Sequence, residues 1–231
     1  ISATGQREVL GIEVGDSEDE AFWTAFLRRL RERGLTGVQL VISDAHAGLK
    51  KSIARCCQGS SWQRCRVHFA RNLLVKVPKG SQDMVAAALR SVFVQPQAQA
   101  VEQQWEQVIT MLTEKFPAAA ALMEQAKEDV LAFRSFPSEH WRKIWSTNPL
   151  ERLNAEIKRR TNVVGIFPND ASITRLVGAM MLEHLGYPEA AATIEKAIER
   201  LSPARRRRRT SAPSRPRLTP CSRGVTSAVT N

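Results

Sequence analysis

The chain has 231 residues, enough to bury one good core with room for a small second unit, and no stretch reads as a bilayer span or a secretory leader. Its net charge of +11 points to a polyanionic partner but is unevenly placed: eight arginines lie between Arg205 and Arg223, in a segment without a carboxylate. Taking those 8 from the 34 basic residues leaves 26 against 23 acids, so the body is only mildly basic and nucleic-acid binding must be argued from local clusters. Four cysteines (Cys56, Cys57, Cys65 and Cys221) suit a reduced, cytoplasmic setting rather than a disulfide scaffold.

In chain order, Arg7 to Val14 alternates, with Leu10, Ile12 and Val14 on one face, and predicts a strand. Ser17 and Glu20 form a capping-box pattern that opens a helix with an apolar stripe at Phe22, Phe26, Leu27 and Leu30, closed by Gly34. Val38 to Ser43 is short, apolar and rich in β-branched residues, which predicts a buried strand. Asp44 follows it, and a helix continues through Leu49, Ile53 and Ala54. A carboxylate at the carboxyl end of a strand is where α/β proteins place their chemistry. On position alone, Asp44 reads equally well as the cap of the next helix. Trp62 to Val67 predicts another strand, leading into a basic helix that reaches Val77. This alternation of strands and helices is an α/β signature.

After Pro78 the apolar spacing becomes helical throughout. Ser81–Val94, Gln97–Phe116 and Ala118–Phe133 are amphipathic, so residues 79–146 read as an all-helical unit. Then comes STNPLERLNAEIKRRTNVVGIFPN, in which Asn148 suits an N-cap and Pro149 the first helical position. Glu151 and Glu156 are five apart, roughly 140° around the helix, and do not share a face. Glu151 also reads as the third-residue carboxylate of a capping box, and the basic run as a solvated helix end complementing the dipole. Ala179 to Leu201 is a further helical stretch broken by Gly186 and Pro188. Residues 202–231, built from Arg, Pro, Ser, Thr and Ala, are expected to be disordered.

VISDAHAGLKKSIA, WQRCRVHFARNLLVKVP and STNPLERLNAEIKRRTNVVGIFPN, with REVLGIEVGDSEDEAFW before them, resemble Mutator-type transposases of bacterial insertion sequences. The likeness runs from about Gly5 to about Glu183. It implies an incomplete RNase H-like α/β domain of the DDE recombinase kind over 1–78, a helical insertion over 79–147 and a catalytic-Glu segment over 148–178. Residue by residue, Asp44 matches the second catalytic Asp and Glu151 the catalytic Glu. Cys65 and His68 match a C-x-x-H signature to which no role is assigned. The first catalytic Asp of such proteins lies on an earlier strand, and nothing here corresponds to it. Asp16 and Asp19 occupy helix-opening positions and are not replacements.

The chemistry implied is in-line attack by oxygen on phosphorus, with two divalent ions roughly 3.5–4 Å apart activating the attacker and stabilising the leaving oxygen. Hard Mg2+, with Mn2+ as a substitute, takes carboxylate oxygens, which assigns it to Asp44 and Glu151. The candidate contacts to DNA are Arg64, Arg66, Arg71 and Lys76, and Arg152, Lys158, Arg159 and Arg160 beside Glu151. The implied partners are insertion-sequence ends and target DNA, with self-association of the intact protein, at the bacterial nucleoid in the cytoplasm. A zinc site from Cys56, Cys57, Cys65 and His68 has a non-standard spacing, and Cys56 and Cys57 read better as packing residues at a helix end.

Three functions compete: a metal-dependent transposase, truncated and impaired; a catalytically inactive DNA-binding remnant that interferes or co-assembles with full-length transposase; and a structure-selective RNase H-like nuclease. Finally, AMMLEHLGYPEAAATIEKAIERL, residues 179–201, resembles the carboxyl-terminal helix region of the isocitrate/isopropylmalate dehydrogenase family, without any of its cofactor or substrate residues. That resemblance implies a fusion joined near Leu176 to Glu183, with an Arg-rich tail that is partly out of frame.

Overall fold

The computed structural model describes residues 8–15, 17–165, 167–184 and 224–230. They form a helix-rich mixed α/β protein that divides into two compact units, residues 34–148 and residues 1–33 with 149–230.

The first unit opens with β2 (Leu40–Ser43), which runs through α2 (Ala47–Cys56) to β3 (Ser61–Arg64). The two strands are parallel, with Ser43 opposite Arg64 and Val41 opposite Trp62. The ladder continues past both ends, as Ser61 N donates to Gln39 O at 2.8 Å and Cys65 N to Ser43 O at 2.7 Å. Parallel strands need a crossover of this length, and α2 supplies it. Gly59, at φ +85°, makes the turn out of α2 that an L side chain would resist.

The predicted helical stretch follows as α3 (Arg66–Leu74), α4 (Gln82–Val92), α5 (Ala98–Thr113), α6 (Pro117–Val130) and the single turn α7 (Trp141–Ile144). Their apolar stripes meet: Val85, Val92, Val101, Trp105, Leu112, Met123 and Phe133 are all completely buried. Phe69 packs 5.5 Å from Trp105, and Phe133 lies within 6 Å of Phe93, Trp141 and Trp145. The largest polar side chain buried in this unit belongs to β3. Gln63 on β3 is fully buried, and its Nε2 donates to Val130 O at 2.6 Å and to Arg64 O at 2.8 Å. Its Oε1 accepts from Phe133 N at 2.8 Å. A buried amide is costly unless bonded, so this side chain ties the strand to the end of α6.

The second unit contains β1 (Glu8–Gly15), α1 (Glu20–Glu32), α8 (Asn148–Val164), α9 (Asp170–His184) and β4 (Gly224–Thr230). Leu153, Ile157 and Val164 of α8 bury against Ile173, Leu176, Val177, Met180 and Met181 of α9, with Val9, Ile12 and Val14 of β1 packed on them. α1 is fastened to β1 by Arg33 Nη1 donating to Leu10 O at 2.8 Å and by the Arg29–Glu13 ion pair at 2.9 Å. A Cβ on Gly15 would come within 2.5 Å of the Phe22 ring, which explains a glycine there.

Three observations stand beside the expectations from sequence. β1 does not extend the β2–β3 pair. It forms a separate antiparallel sheet with β4, Glu8 opposite Thr230 and Gly15 opposite Gly224. Within the stretch 202–231 read as disordered, the described residues are the strand at 224–230. Lastly, the cap of α1 is Asp19, whose carboxylate accepts from Phe22 N at 2.8 Å, while Ser17 Oγ donates to Asp19 Oδ2. A carboxylate satisfies the helix-end donors better than a hydroxyl two residues further out. The dehydrogenase-like stretch is described only to His184, within α9, which runs through the position assigned to the join. Residues 185–201 and 202–223 lie outside the described residues.

Candidate functional site

Asp44 directly follows β2 and is exposed. The cap of α2 is His46, whose Nδ1 accepts from Leu49 N at 3.3 Å. Asp44 is thereby released from the capping role that position alone allowed. Its carboxylate takes no hydrogen bond or ion pair among the described residues, so its oxygens are available to a ligand. Its main chain, by contrast, is held. The buried Ser43 donates through Oγ to the Asp44 carbonyl at 2.8 Å and accepts from the Trp62 indole Nε1–H at 2.9 Å. The Lys50 ammonium lies 4.1 Å from the centre of the Trp62 ring and 2.8 Å from Asp129 Oδ2 on α6.

Four predicted cations follow on and after β3. The Arg64 guanidinium is half-buried, 5.2 Å from the Phe69 ring, and its Nε is buried with no hydrogen-bond partner. Burial pulls its pKa down, opposed by the charges of Asp129 and Asp44. Arg66 stacks 4.0 Å from the Trp145 ring centre and 5.1 Å from that of Phe93, and burial lowers its pKa as well. It is a packed cation in an aromatic cage rather than an extended one. Arg71 on α3 and Lys76 beyond it are exposed.

Cys65 and His68 belong to the same turn. Cys65 is fully buried at the entry to α3, where its Sγ accepts from Thr147 Oγ1 at 3.2 Å and Thr147 N at 3.4 Å. Arg66 N donates to Trp145 O at 3.0 Å. Together these bonds tie the segment 145–147 to the end of β3. His68 is half-buried on α3, Cys56 is the buried last residue of α2, and Cys57 caps that helix, as packing residues do.

Glu151 stands in the first turn of α8, half-buried, where the helix dipole favours an anion. It belongs to the second unit and Asp44 to the first. Of the four cations on α8, Arg152 and Lys158 are exposed and make no described ion pair. Arg159 and Arg160 are both engaged by Glu156, at 2.7 Å each, and Arg160 reaches Glu183 at 2.9 Å. Those two guanidinium groups hold the Glu156 carboxyl down to about 2. Arg152, Leu153, Glu156, Arg160, Met180 and Glu183 line a cleft of about 280 Å³ whose charges largely cancel.

Sequence reasoning missed Gln63, Ser43 and Trp62. The available signal was a polar side chain at an inward strand position and a serine immediately before the strand-end Asp.

Fold and site together define a mixed α/β protein with an open carboxylate at a strand end and cations grouped after the next strand and on a later helix. Residues 1–190 match the profile described as Transposase, Mutator family, and the chain belongs to that family. The transposase for insertion sequence element IS1081 of Mycobacterium tuberculosis is 52% identical over 183 residues, covering 79% of this chain and 44% of that protein. The transposase for ISRM5 of Rhizobium meliloti is 39% identical over 191 residues, 82% of this chain and 48% of its own length. That for IS256 in transposon Tn4001 of Staphylococcus aureus is 36% identical over 185 residues, 79% and 47%. The chain thus spans about half the length of the curated relatives it matches. Among the described residues no helix is long and apolar enough to cross a membrane.

Proposed function

We propose that this chain carries part of the catalytic domain of a DDE transposase, RNase H-like with a helical insertion, that cuts and rejoins DNA at insertion-sequence ends. The observation that carries the reading is Asp44: an exposed carboxylate at the carboxyl end of a parallel strand, relieved of capping by His46 and without a partner among the described residues. Such oxygens fit Mg2+, which prefers hard carboxylate ligands and retains several waters. Asp44 in one unit and, by the resemblance, Glu151 in the other are each candidate ligands for it. When bound, the ion supplies Lewis acidity toward a phosphodiester and its attacking oxygen. The chain's own contribution is to hold the carboxylates and to bind the DNA backbone through its cations. Arg152 and Lys158 are free to reach phosphate, as is Lys76, whereas Arg66, Arg159 and Arg160 would first have to leave their present partners.

A second reading is a DNA-binding remnant that interferes or co-assembles with full-length transposase. It rests on the cations of the chain, which would serve DNA binding whether or not cleavage occurs. Assayed by itself, the 231-residue chain is expected to cleave DNA feebly or not at all. Mn2+-dependent nicking of supercoiled plasmid separates the two readings, run beside Asp44→Asn and Glu151→Gln; Mn2+ binds nitrogen and oxygen sites at least as a permissive substitute. Nicking lost in both variants supports a working carboxylate site. Retained DNA binding without nicking supports the remnant.

A further inference from the structure

The carboxylate of Asp44 has nothing of its own to steady it, because residues 44–46 form an exposed link between β2 and α2. What fixes its main chain is Ser43. This serine is 7% exposed, its carbonyl accepts from Cys65 N in the ladder, and its hydroxyl is used twice, toward Asp44 O and from Trp62 Nε1. A buried hydroxyl costs stability unless bonded, and a strand position of this kind favours valine or isoleucine on propensity. The two bonds of this hydroxyl nevertheless link Trp62 to the Asp44 carbonyl. Trp62 is in turn covered by Lys50, which α6 anchors through Asp129.

We propose that Ser43 and Trp62 are positioning residues that latch the Asp44 peptide, so that its carboxylate meets a divalent cation already oriented. The latch rests on the reading of Asp44 as a metal ligand. Groups behind a metal ligand govern affinity because a pre-oriented ligand loses less freedom on binding. The backing by Lys50 and Asp129 makes the helical stretch part of the same support.

The test is a Mn2+ titration of the 231-residue chain followed by electron paramagnetic resonance of the free ion. Asp44→Asn should abolish specific binding. Ser43→Ala, which removes both bonds of the hydroxyl, and Trp62→Phe, which removes the indole bond alone, keep the strand and should each weaken affinity roughly tenfold. Ser43→Thr retains the hydroxyl and should restore most of the affinity. Ile53→Val, a core change on α2, should lower the melting temperature and leave affinity alone, which separates positioning from stability. If Ser43→Ala does not fold, Trp62→Phe carries the test, since its ring still meets Lys50. Wild-type affinity in both Ser43→Ala and Trp62→Phe, with binding lost in Asp44→Asn, overturns the latch and leaves the metal reading standing. An Asp44→Asn protein that matches wild type, including the case in which neither binds, overturns the reading and the latch together.

Discussion

Glu156 shows how a single carboxylate can be read in both energy and pH. Arg159 and Arg160 hold it down to about 2 from the usual 4.5. Its folded pKa lies below the unfolded one, so its contribution to stability is complete above about 4.5 and is lost as pH falls toward 2. Glu156→Gln should therefore flatten the pH dependence of the melting temperature across that window, and leave it unchanged above. The carboxylate is exposed, so the effect is modest and shrinks in high salt. Gln63 is the opposite case. Replacing it with Leu leaves Val130 O and Phe133 N buried without partners, and chemical denaturation should report a loss of about 3 kcal/mol. The strand alternation placed Gln63 on an inward position, but polar residues in strands usually face solvent, and only the partners on α6 and beyond show why this one does not.

Among the elements, α5 is the hub of the helical stretch. Val101, Trp105, Val108, Ile109 and Leu112 all face inward at helical spacing, which the sequence announced. Trp105→Ala should cost about 3–5 kcal/mol. Trp105→Phe should cost much less, because the indole nitrogen has no hydrogen-bond partner to lose. Helix α8 mixes two kinds of cation that sequence could not sort. Arg152 and Lys158 are solvent-facing, while Arg159 and Arg160 are committed to Glu156. If α8 meets DNA as proposed, Arg152→Ala and Lys158→Ala should each reduce the salt slope of binding by about one, measured by fluorescence anisotropy against salt. Arg159→Ala should do less to DNA and more to the pH profile of Glu156.

At the scale of the molecule, eight of the 34 basic residues lie between Arg205 and Arg223, a stretch without a carboxylate. Replacing these eight arginines with Gln should sharply weaken non-specific DNA affinity at low salt, with little change in near-ultraviolet circular dichroism from the five tryptophans, all of which precede them. The join proposed near Leu176 to Glu183 belongs to this scale also. Sequencing the locus checks it, and an intact transposase end in the same frame would count against it.

Sequence by itself determined the helices of 79–146, the strand before Asp44 and the family, because apolar spacing and long motif blocks are local and survive without partners. It left open whether Asp44 caps a helix, which cation is free, and which strand β1 pairs with. Tertiary structure decided these: His46 takes the cap, Trp145 and Phe93 enclose Arg66, and β1 pairs with β4 instead of β2. Each depends on groups far apart in the chain competing for the same donor, face or edge. Such competition is resolved by proximity in space, which spacing along the sequence does not encode.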